Sequence, residues 1–266
     1  MTTTIALAGK GGVGKTTIAA LMIKYLLKRR LGAVLAIDAD PSTNLNIALG
    51  MDVEYTVGDI REGLLTQVKG SLVAGGAAMG SLPGGVTKRE YLDYQIRVSL
   101  IEGDCCDLIA MGRPEGPGCY CAVNHNLREV IDAISKNYAY VVIDNEAGIE
   151  HLSRRTTRDV DQLVIVSDPS YRGLVAAGRI ASFCSDLDIR IKNAFLVLNR
   201  LTGEVPAPIH DQVRVLGIPL LGTVPADEEL ANLESNGSPL VALGDESSVY
   251  RAVAAFMERL LDPPTT

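Results

Sequence analysis

What this sequence lacks disfavours three broad classes of protein. It has no excess of positive charge, because 25 Lys and Arg stand against 32 Asp and Glu for a formal net charge of −7, and this disfavours non-specific attraction to nucleic acid or anionic lipid. Its longest uncharged stretch, residues 70–87, is rich in Gly, Ser and Pro, whereas a membrane-spanning helix needs about 20 predominantly apolar residues. The first residues show neither the basic segment nor the apolar run of a signal peptide. We therefore expect a cytoplasmic protein with no nucleic-acid or membrane partner.

Cysteine is scarce, and its count of five is odd. In a long chain without a recognisable secretion signal, this argues against a disulfide framework and for thiols that are structural, metal-binding or redox-active. We interpret the adjacent Cys105 and Cys106 as partly buried small residues. A helix predicted over residues 171–187 has one apolar stripe, formed by Ala176, Ile180, Phe183, Cys184 and Leu187. Cys184 is therefore expected in the core.

The residues that are present suit a large α/β unit. With 266 residues, 47% of them hydrophobic, the chain can bury a full core, and we expect a single domain over 1–266. Short aliphatic runs alternate with longer helical patterns, which is the rhythm of βαβ units. The predicted strands cover 4–8, 33–38, 108–111, 140–144, 162–167, 194–199 and 220–224. Because these strands are almost continuously apolar, they predict one doubly wound, mostly parallel sheet with helices on both faces.

Two segments need separate interpretation. Residues 71–85 are too rich in Gly for a stable helix, and we interpret them as a surface loop, with a mobile lid or a partner-contact segment as the alternative. A last helix is predicted over 248–261. Its polar face is almost neutral, unlike the strongly basic face of helices that lie on membranes, so we expect it to dock on the core.

A phosphate-binding loop directly follows the first predicted strand. It fits the pattern GxxxxGK[ST] and consists of Gly9, Lys10, Gly11, Gly12, Val13, Gly14, Lys15 and Thr16, with Thr17 next in the chain. Glycines let backbone N–H groups point inward, and the start of the following helix adds positive potential. Lys15 would reach the β and γ phosphates of a nucleotide, and Thr16 would ligate Mg²⁺.

Carboxylates follow two other predicted strands at the same edge of the sheet, where ligands of open α/β folds bind. Asp38 and Asp40 end the second strand, and Asp144 ends another in the manner of a Walker B aspartate. For one such residue alone, a turn-forming or helix-capping role would be preferred. Beside a phosphate-binding loop, we expect Asp144 and Asp38 to serve Mg²⁺ and Asp40 to orient the attacking water.

The second lysine of the loop, Lys10, is not required by a plain phosphate-binding loop. The form KGGVGKT, together with the DxD after the second strand, a late Asn199-Arg200 and the run VPAD around Pro225, resembles the deviant Walker A ATPases: partition and septum-site ATPases, the nitrogenase iron protein and metallocentre-insertion ATPases. The resemblance spans essentially the whole chain. It implies that Lys10 reaches the partner subunit's nucleotide across a dimer interface, whereas a solvated loop charge is the alternative. It also places Asn199, Arg200 and the backbone of Pro225 in the nucleotide site, with Asn199 and Pro225 around adenine.

A pair of cysteines, Cys119 and Cys121, lies at the end of a turn rich in Pro and Gly. Taken alone, a C-x-C pair is a weak metal-binding signal, and two free thiols at the start of a helix are the alternative. The segment MGRPEGPGCYC, followed by a helix and then YVVIDNEAGIEHLSRR, resembles the carbon monoxide dehydrogenase accessory ATPases of the CooC type, which support nickel insertion. One chain offers two thiolates, whereas closed Zn²⁺ sites take four ligands and soft Ni²⁺ sites can also take four sulfurs. A two-fold axis beside the pair would supply the other two. His125 lies nearby, but we interpret it as a polar residue of the first helical turn.

The sequence thus predicts a homodimeric ATPase that uses ATP and Mg²⁺, holds Ni²⁺ or Zn²⁺ between subunits and acts on apo carbon monoxide dehydrogenase. The catalytic residues would be Lys10, Lys15 and Asp40. One alternative is an iron-sulfur electron-transfer ATPase like the nitrogenase reductase. Another is a partition or positioning ATPase of the MinD/ParA type.

Overall fold

Seven parallel strands form one sheet in the part of the chain that the structure describes. The structure is a computed structural model and describes residues 1–59, 88–112, 129–147, 159–186 and 190–262. The strands are β1 (Thr3–Gly9), β2 (Val34–Asp38), β3 (Asp107–Ala110), β4 (Tyr140–Asp144), β5 (Asp159–Ser167), β6 (Arg190–Leu201) and β7 (Leu220–Pro225). Their order across the sheet is β3-β2-β4-β1-β5-β6-β7, and every neighbouring pair is parallel.

Helices cover both faces of this sheet. They are α1 (Lys15–Lys28), α2 (Leu45–Leu49), α3 (Lys88–Val98), α4 (described over 129–135), α5 (Tyr171–Asp186), α6 (Ala207–Leu216), α7 (Glu228–Ser235) and α8 (Ser248–Leu261), with a 3-10 turn at Leu240–Ala242. Alternating strand residues separate two buried clusters: Ile5 and Leu7 face α1, α2 and α8, whereas Ala6 and Ala8 face α3 to α6. The predicted α/β fold with a doubly wound sheet is confirmed.

The order of the strands places the loop after β1 in the middle of the sheet. Strand β1 pairs with β4 on one side and with β5 on the other. Strand β2 joins the far side of β4, with Asp38 directly opposite Asp144. Open parallel sheets bind ligands at the carboxyl ends of their strands, where the order of the strands reverses. The sheet therefore gathers the ends of β1, β2 and β4 at one such position.

Two helices test the expectations about amphipathic stripes. The last helix, α8, packs on the core through fully buried side chains such as Val253 and Phe256, as its stripe predicted. In α5 the buried positions include Leu174, Ala177 and Ile180, whereas Phe183 is 46% exposed. The predicted stripe is thus wrong at Phe183, because the helix presents a different angular sector to the sheet. No helix within the described ranges is long and apolar enough to cross a bilayer.

Several sequence expectations fall outside the described residues. They concern the segment 71–85, Leu187, the cysteines Cys119 and Cys121, and the histidine His125.

Candidate nucleotide site

The loop between β1 and α1 begins and ends at positions where only glycine fits. Gly9 has φ 156°, and a Cβ there would lie 2.4 Å from the carbonyl oxygen of Val166. Gly14 has φ 90°, and its Cβ would lie 2.4 Å from Nδ2 of Asn199. Larger residues would therefore need both a left-handed or strained backbone and displaced neighbours. The glycines let the loop run tightly between β5 and the end of β6.

Lys15 opens α1 and is only 7% exposed. Its Nζ lies 3.4 Å from the carbonyl oxygen of Lys10, to which it donates. Burial lowers the pKa of Lys15, whereas the negative charges of Asp144, Asp40 and Glu146 act in the opposite direction. The loop thus holds a largely buried cation beside three carboxylates, an arrangement suited to receiving a polyphosphate with a divalent metal.

A hydrogen bond between Thr16 and Asp144 links α1 to β4. The Thr16 hydroxyl donates to Oδ2 of Asp144 at 2.5 Å. The other carboxylate oxygen, Oδ1, is buried and has no hydrogen-bond partner among the described residues. Burial raises the pKa of Asp144 to about 7, and the charge of Asp38 adds to this, whereas the Thr16 hydroxyl and Lys15 oppose it. A hydroxyl next to an unpartnered carboxylate oxygen is a donor set that fits Mg²⁺.

Asp38 is fully buried, and both of its carboxylate oxygens already accept backbone hydrogen bonds. Oδ1 accepts from the N–H of Asp40 at 3.0 Å, and Oδ2 accepts from the N–H of Leu45 at 2.9 Å. Burial raises its pKa to about 6, although these two hydrogen bonds lower it. Asp38 therefore has the turn-forming role that is usual for an aspartate at a strand end, and it would act on a metal at Asp144 chiefly through its charge.

Asp40 and Lys10 lie at the open side of this cluster. Asp40 is partly exposed, and its Oδ1 accepts from the N–H of Ser42 at 2.8 Å. It lies close enough to Lys15 to influence the pKa of that lysine. The side chain of Lys10 is exposed to solvent, while its carbonyl faces Lys15. The structure thus places Asp40 and the backbone of Lys10 near Lys15, with the Lys10 side chain exposed.

Asn199 and Arg200, at the end of β6, contact the same loop. Nδ2 of Asn199 donates to the carbonyl oxygen of Val13 at 2.9 Å, and Nη1 of Arg200 donates to that of Gly12 at 2.8 Å. Pro225 ends the neighbouring strand β7, level with Leu201. Sequence reasoning placed all three residues in the nucleotide site, and the structure brings Asn199 and Arg200 into contact with the loop backbone.

Sequence reasoning missed two polar residues of this region. Asn145 is buried beside Asp144, donates to the carbonyl oxygen of Leu7 at 2.7 Å and keeps a buried Oδ1 without a partner in the described ranges. Its position directly after a strand-end aspartate was the available signal. Glu234, at the end of α7, accepts from the Thr17 hydroxyl at 2.7 Å. Glu234 and Thr17 both line a pocket of about 310 Å³ between α2 and α7, and no local sequence pattern marks Glu234.

The described cysteines lie away from the loop. Cys105 is exposed, Cys106 is buried, and burial raises the pKa of the Cys106 thiol to about 11. Cys184 lies in α5 and is half-buried against the hydrophobic cluster between the sheet and helices α3 to α6. Burial also raises the pKa of its thiol to about 11. No group of three or more potential metal ligands occurs within the described residues, which do not include Cys119 or Cys121.

Comparison with known proteins agrees with this geometry. The family model described as the CobQ/CobB/MinD/ParA nucleotide binding domain matches residues 4–240. An uncharacterised ATP-binding protein of Methanocaldococcus jannaschii is 43% identical, over 97% of this chain and 98% of that protein. The carbon monoxide dehydrogenase accessory protein CooC of Rhodospirillum rubrum is 32% identical, over 96% of this chain and 97% of its own length.

Among solved structures, the septum site-determining protein MinD of Pyrococcus horikoshii, complexed with Mg-ADP, superposes with a TM-score of 0.68. The match covers 99% of this chain and 97% of that structure at 22% sequence identity. At that identity the likeness concerns the fold.

Proposed function

The chain belongs to the CobQ/CobB/MinD/ParA nucleotide-binding family, and from this premise we propose that it is a homodimeric ATPase that assists nickel insertion into carbon monoxide dehydrogenase. The proposal has two parts. The first is hydrolysis of ATP at the loop after β1. The second is a metal site shared between two subunits. We expect this work to take place in the cytoplasm.

The contact between Thr16 and Asp144 beside the buried Lys15 carries the first part. Lys15 would contact the β and γ phosphates, and the loop N–H groups would bind their oxygens. Thr16 and Asp144 would hold Mg²⁺, directly or through water, and the metal would neutralise charge on the phosphate oxygens. Asp40 lies at the open side, where its carboxylate would orient a water for in-line attack on the γ phosphorus. The new bond joins the water oxygen to phosphorus, and the bond to the ADP oxygen breaks.

The CooC relative and the C-x-C pair support the second part. CooC of Rhodospirillum rubrum aligns over 96% of this chain, so the resemblance is not confined to the loop that all such ATPases share. Cys119 and Cys121 would offer two thiolates per subunit, and a two-fold axis would complete a four-sulfur site for Ni²⁺ or Zn²⁺. The exposed side chain of Lys10 is compatible with its reaching across such a dimer interface.

Metal analysis of the purified dimer tests the second part. One divalent metal per dimer is expected, because a site on a two-fold axis occurs once in each dimer. Cys119→Ala and Cys121→Ala should each abolish binding, whereas Cys184→Ala, a matched change at a half-buried cysteine of α5, should retain it. One metal per monomer, or metal retained by the Cys119/Cys121 double variant, would exclude the shared site. Loss of the metal in Cys105→Ala would instead assign the metal site to Cys105 and Cys106.

The two alternative functions have distinct signatures. An electron-transfer ATPase with an iron-sulfur cluster would absorb visible light and lose that absorbance in air. A positioning ATPase of the MinD type would sediment with anionic vesicles when ATP is present. The packing of α8 on the core, with Phe256 and Met257 fully buried, favours the nickel proposal over the second alternative, since that apolar face is not available to a membrane.

A further inference from the structure

Two consecutive side chains at the end of β6 hold two consecutive carbonyl groups of the phosphate-binding loop. Asn199 donates to the oxygen of Val13 at 2.9 Å, and Arg200 donates to the oxygen of Gly12 at 2.8 Å. The partners are separated by 186 and 188 positions in the chain. The pairing is therefore a product of tertiary structure, and both of its hydrogen bonds join protein atoms alone.

A regular strand could not make both contacts, because successive side chains of a strand point to opposite faces. The end of β6 is irregular. Leu198 lies opposite Thr223 and Leu201 lies opposite Pro225, so that β6 carries one extra residue relative to β7. Arg200 also has φ 59°, in the left-handed region. Such bulges bend a strand and redirect a side chain, which lets Arg200 reach the loop beside Asn199.

Fixing these two carbonyls also fixes the N–H groups of the same peptide units. A trans peptide is planar, and its N–H points opposite to its C=O. Because the oxygens of Gly12 and Val13 are held towards the end of β6, the N–H groups of Val13 and Gly14 point the other way. Successive N–H groups turned to one side form a concavity that binds anions.

We propose that Arg200 is a positioning residue that, together with Asn199, sets this loop in its phosphate-binding conformation before any nucleotide arrives. The ligand is the polyphosphate part of a nucleotide, and the proposal rests on the proposed ATP-binding function. Arg200 acts on the loop carbonyl of Gly12, so its contribution to affinity comes from orienting the N–H groups.

The left-handed backbone of Arg200 provides a test that separates this role from ordinary structural support. A side chain at positive φ strains the backbone, and glycine would remove that strain. Arg200→Gly should therefore melt no lower than the parent while it loses affinity. Arg30 offers a matched control, because it is an exposed arginine with φ 52° that lies at the far end of α1, away from the loop.

The experiment compares the binding of Mg-ATP and of inorganic tripolyphosphate by calorimetry. We expect Arg200→Gly to weaken both about tenfold, the order of one charge-assisted hydrogen bond. Arg200→Lys, which keeps a cationic donor, should lose less. Arg30→Gly should leave both affinities unchanged. Unchanged affinities in Arg200→Gly would overturn the proposal, as would a loss confined to ATP, because that would indicate a contact with the nucleoside.

Nuclear magnetic resonance of the nucleotide-free protein, labelled with ¹⁵N at Gly and Val, supplies the second readout. The amide signals of Val13 and Gly14 should broaden or move towards random-coil positions in Arg200→Gly and stay unchanged in Arg30→Gly. If affinity falls while these signals stay the same, Arg200 acts through its charge and the proposal is wrong. Failure of the parent to bind either ligand would instead reject the ATP-binding function itself.

Discussion

The two ends of helix α1 carry similar charges in opposite surroundings. At its start, Lys15 is 7% exposed and lies beside the buried Asp144, which is paired across the sheet with the fully buried Asp38. At its end, Lys28 and Arg29 are exposed and pair with carboxylates near and on α8. Burial raises the pKa of Asp38 to about 6 and that of Asp144 to about 7, whereas a hydrogen bond to Asp245 raises the pKa of the exposed Lys28.

The difference shows that the burial of a charged side chain, rather than the number of its ion pairs, decides how strongly its charge affects stability and ligand binding. Removing an ion from water costs several kcal/mol, which its partners only partly return, whereas exposed pairs gain little because water and salt screen them. The start of α1 therefore holds charges that a bound nucleotide and metal would stabilise. At the end of α1, exposed ion pairs join the helix to the α8 region, and these charges are already stabilised by water and by their partners.

The largest expected effect comes from removing the buried cation. Lys15→Ala should lower ATP hydrolysis at least about a hundredfold, because a positioned charge on the transferred phosphate is lost. Lys28→Ala, at the other end of the same helix, should hydrolyse ATP at the parental rate. Circular dichroism should show both variants folded. Parental activity in a folded Lys15→Ala would remove the loop from the mechanism.

Asp40→Asn should separate binding from hydrolysis. The amide keeps the shape of the side chain but loses the charge proposed to orient water, so we expect Mg-ATP binding to change less than threefold and hydrolysis to fall about tenfold or more. Equilibrium binding and single-turnover hydrolysis measure the two quantities. If ATP binding weakens as much as hydrolysis falls, Asp40 has a structural role in the loop that contains Ser42.

The buried carboxylates should make the ligand-free protein less stable as the pH rises. Their folded pKa values lie above the ordinary value of 3.8, so their contribution to stability is complete below about pH 4 and is lost as the pH rises through 6 and 7. We expect the melting temperature to fall by about 5 °C between pH 4.5 and 7.5 through this effect. Mg-ADP, which would bind the ionised form, should raise the melting temperature more at pH 7.5 than at pH 5.5.

Two variants sharpen the pH experiment. Asp144→Asn should flatten the dependence, because it removes one titrating group and its repulsion of Asp38. Asp245→Asn should leave it unchanged between pH 4.5 and 7.5, because hydrogen bonds from Lys28 and Lys24 lower the pKa of Asp245 below its ordinary value. If the melting temperature of Asp144→Asn changes with pH as steeply as that of the parent, other groups cause the pH dependence.

The smallest effect is expected at the exposed end of α1. Arg29 and Glu258 approach to 2.6 Å, yet both side chains are more than half exposed. Arg29→Ala, Glu258→Ala and the double variant should melt within about one degree of one another, since exposed pairs contribute little. A thermal double-mutant cycle with a clearly larger coupling would contradict the distinction between the two ends.

Local patterns were sufficient for much of the fold. Each predicted strand is present, because a short apolar run between turn residues can bury its side chains readily as a strand of the sheet. The end of the first strand was predicted at Ala8, before the glycine loop, and β1 extends one residue further, to Gly9. Phe183 shows the limit: three- and four-residue spacing defines a stripe, but only the packing partner decides which side of the helix is buried. The cysteine pair remains a prediction.

The sequence by itself determined the parallel α/β sheet, the phosphate-binding loop and the positions of Asp38, Asp40 and Asp144 at strand ends. These features depend on residues close together in the chain. Only the tertiary structure decided that Asp144 keeps an oxygen with no partner among the described residues, that Glu234 reaches Thr17, and that Arg200 holds the carbonyl of Gly12. The two contacts join residues 217 and 188 positions apart, and such contacts, like the burial that shifts a pKa, depend on how the strands are ordered and packed.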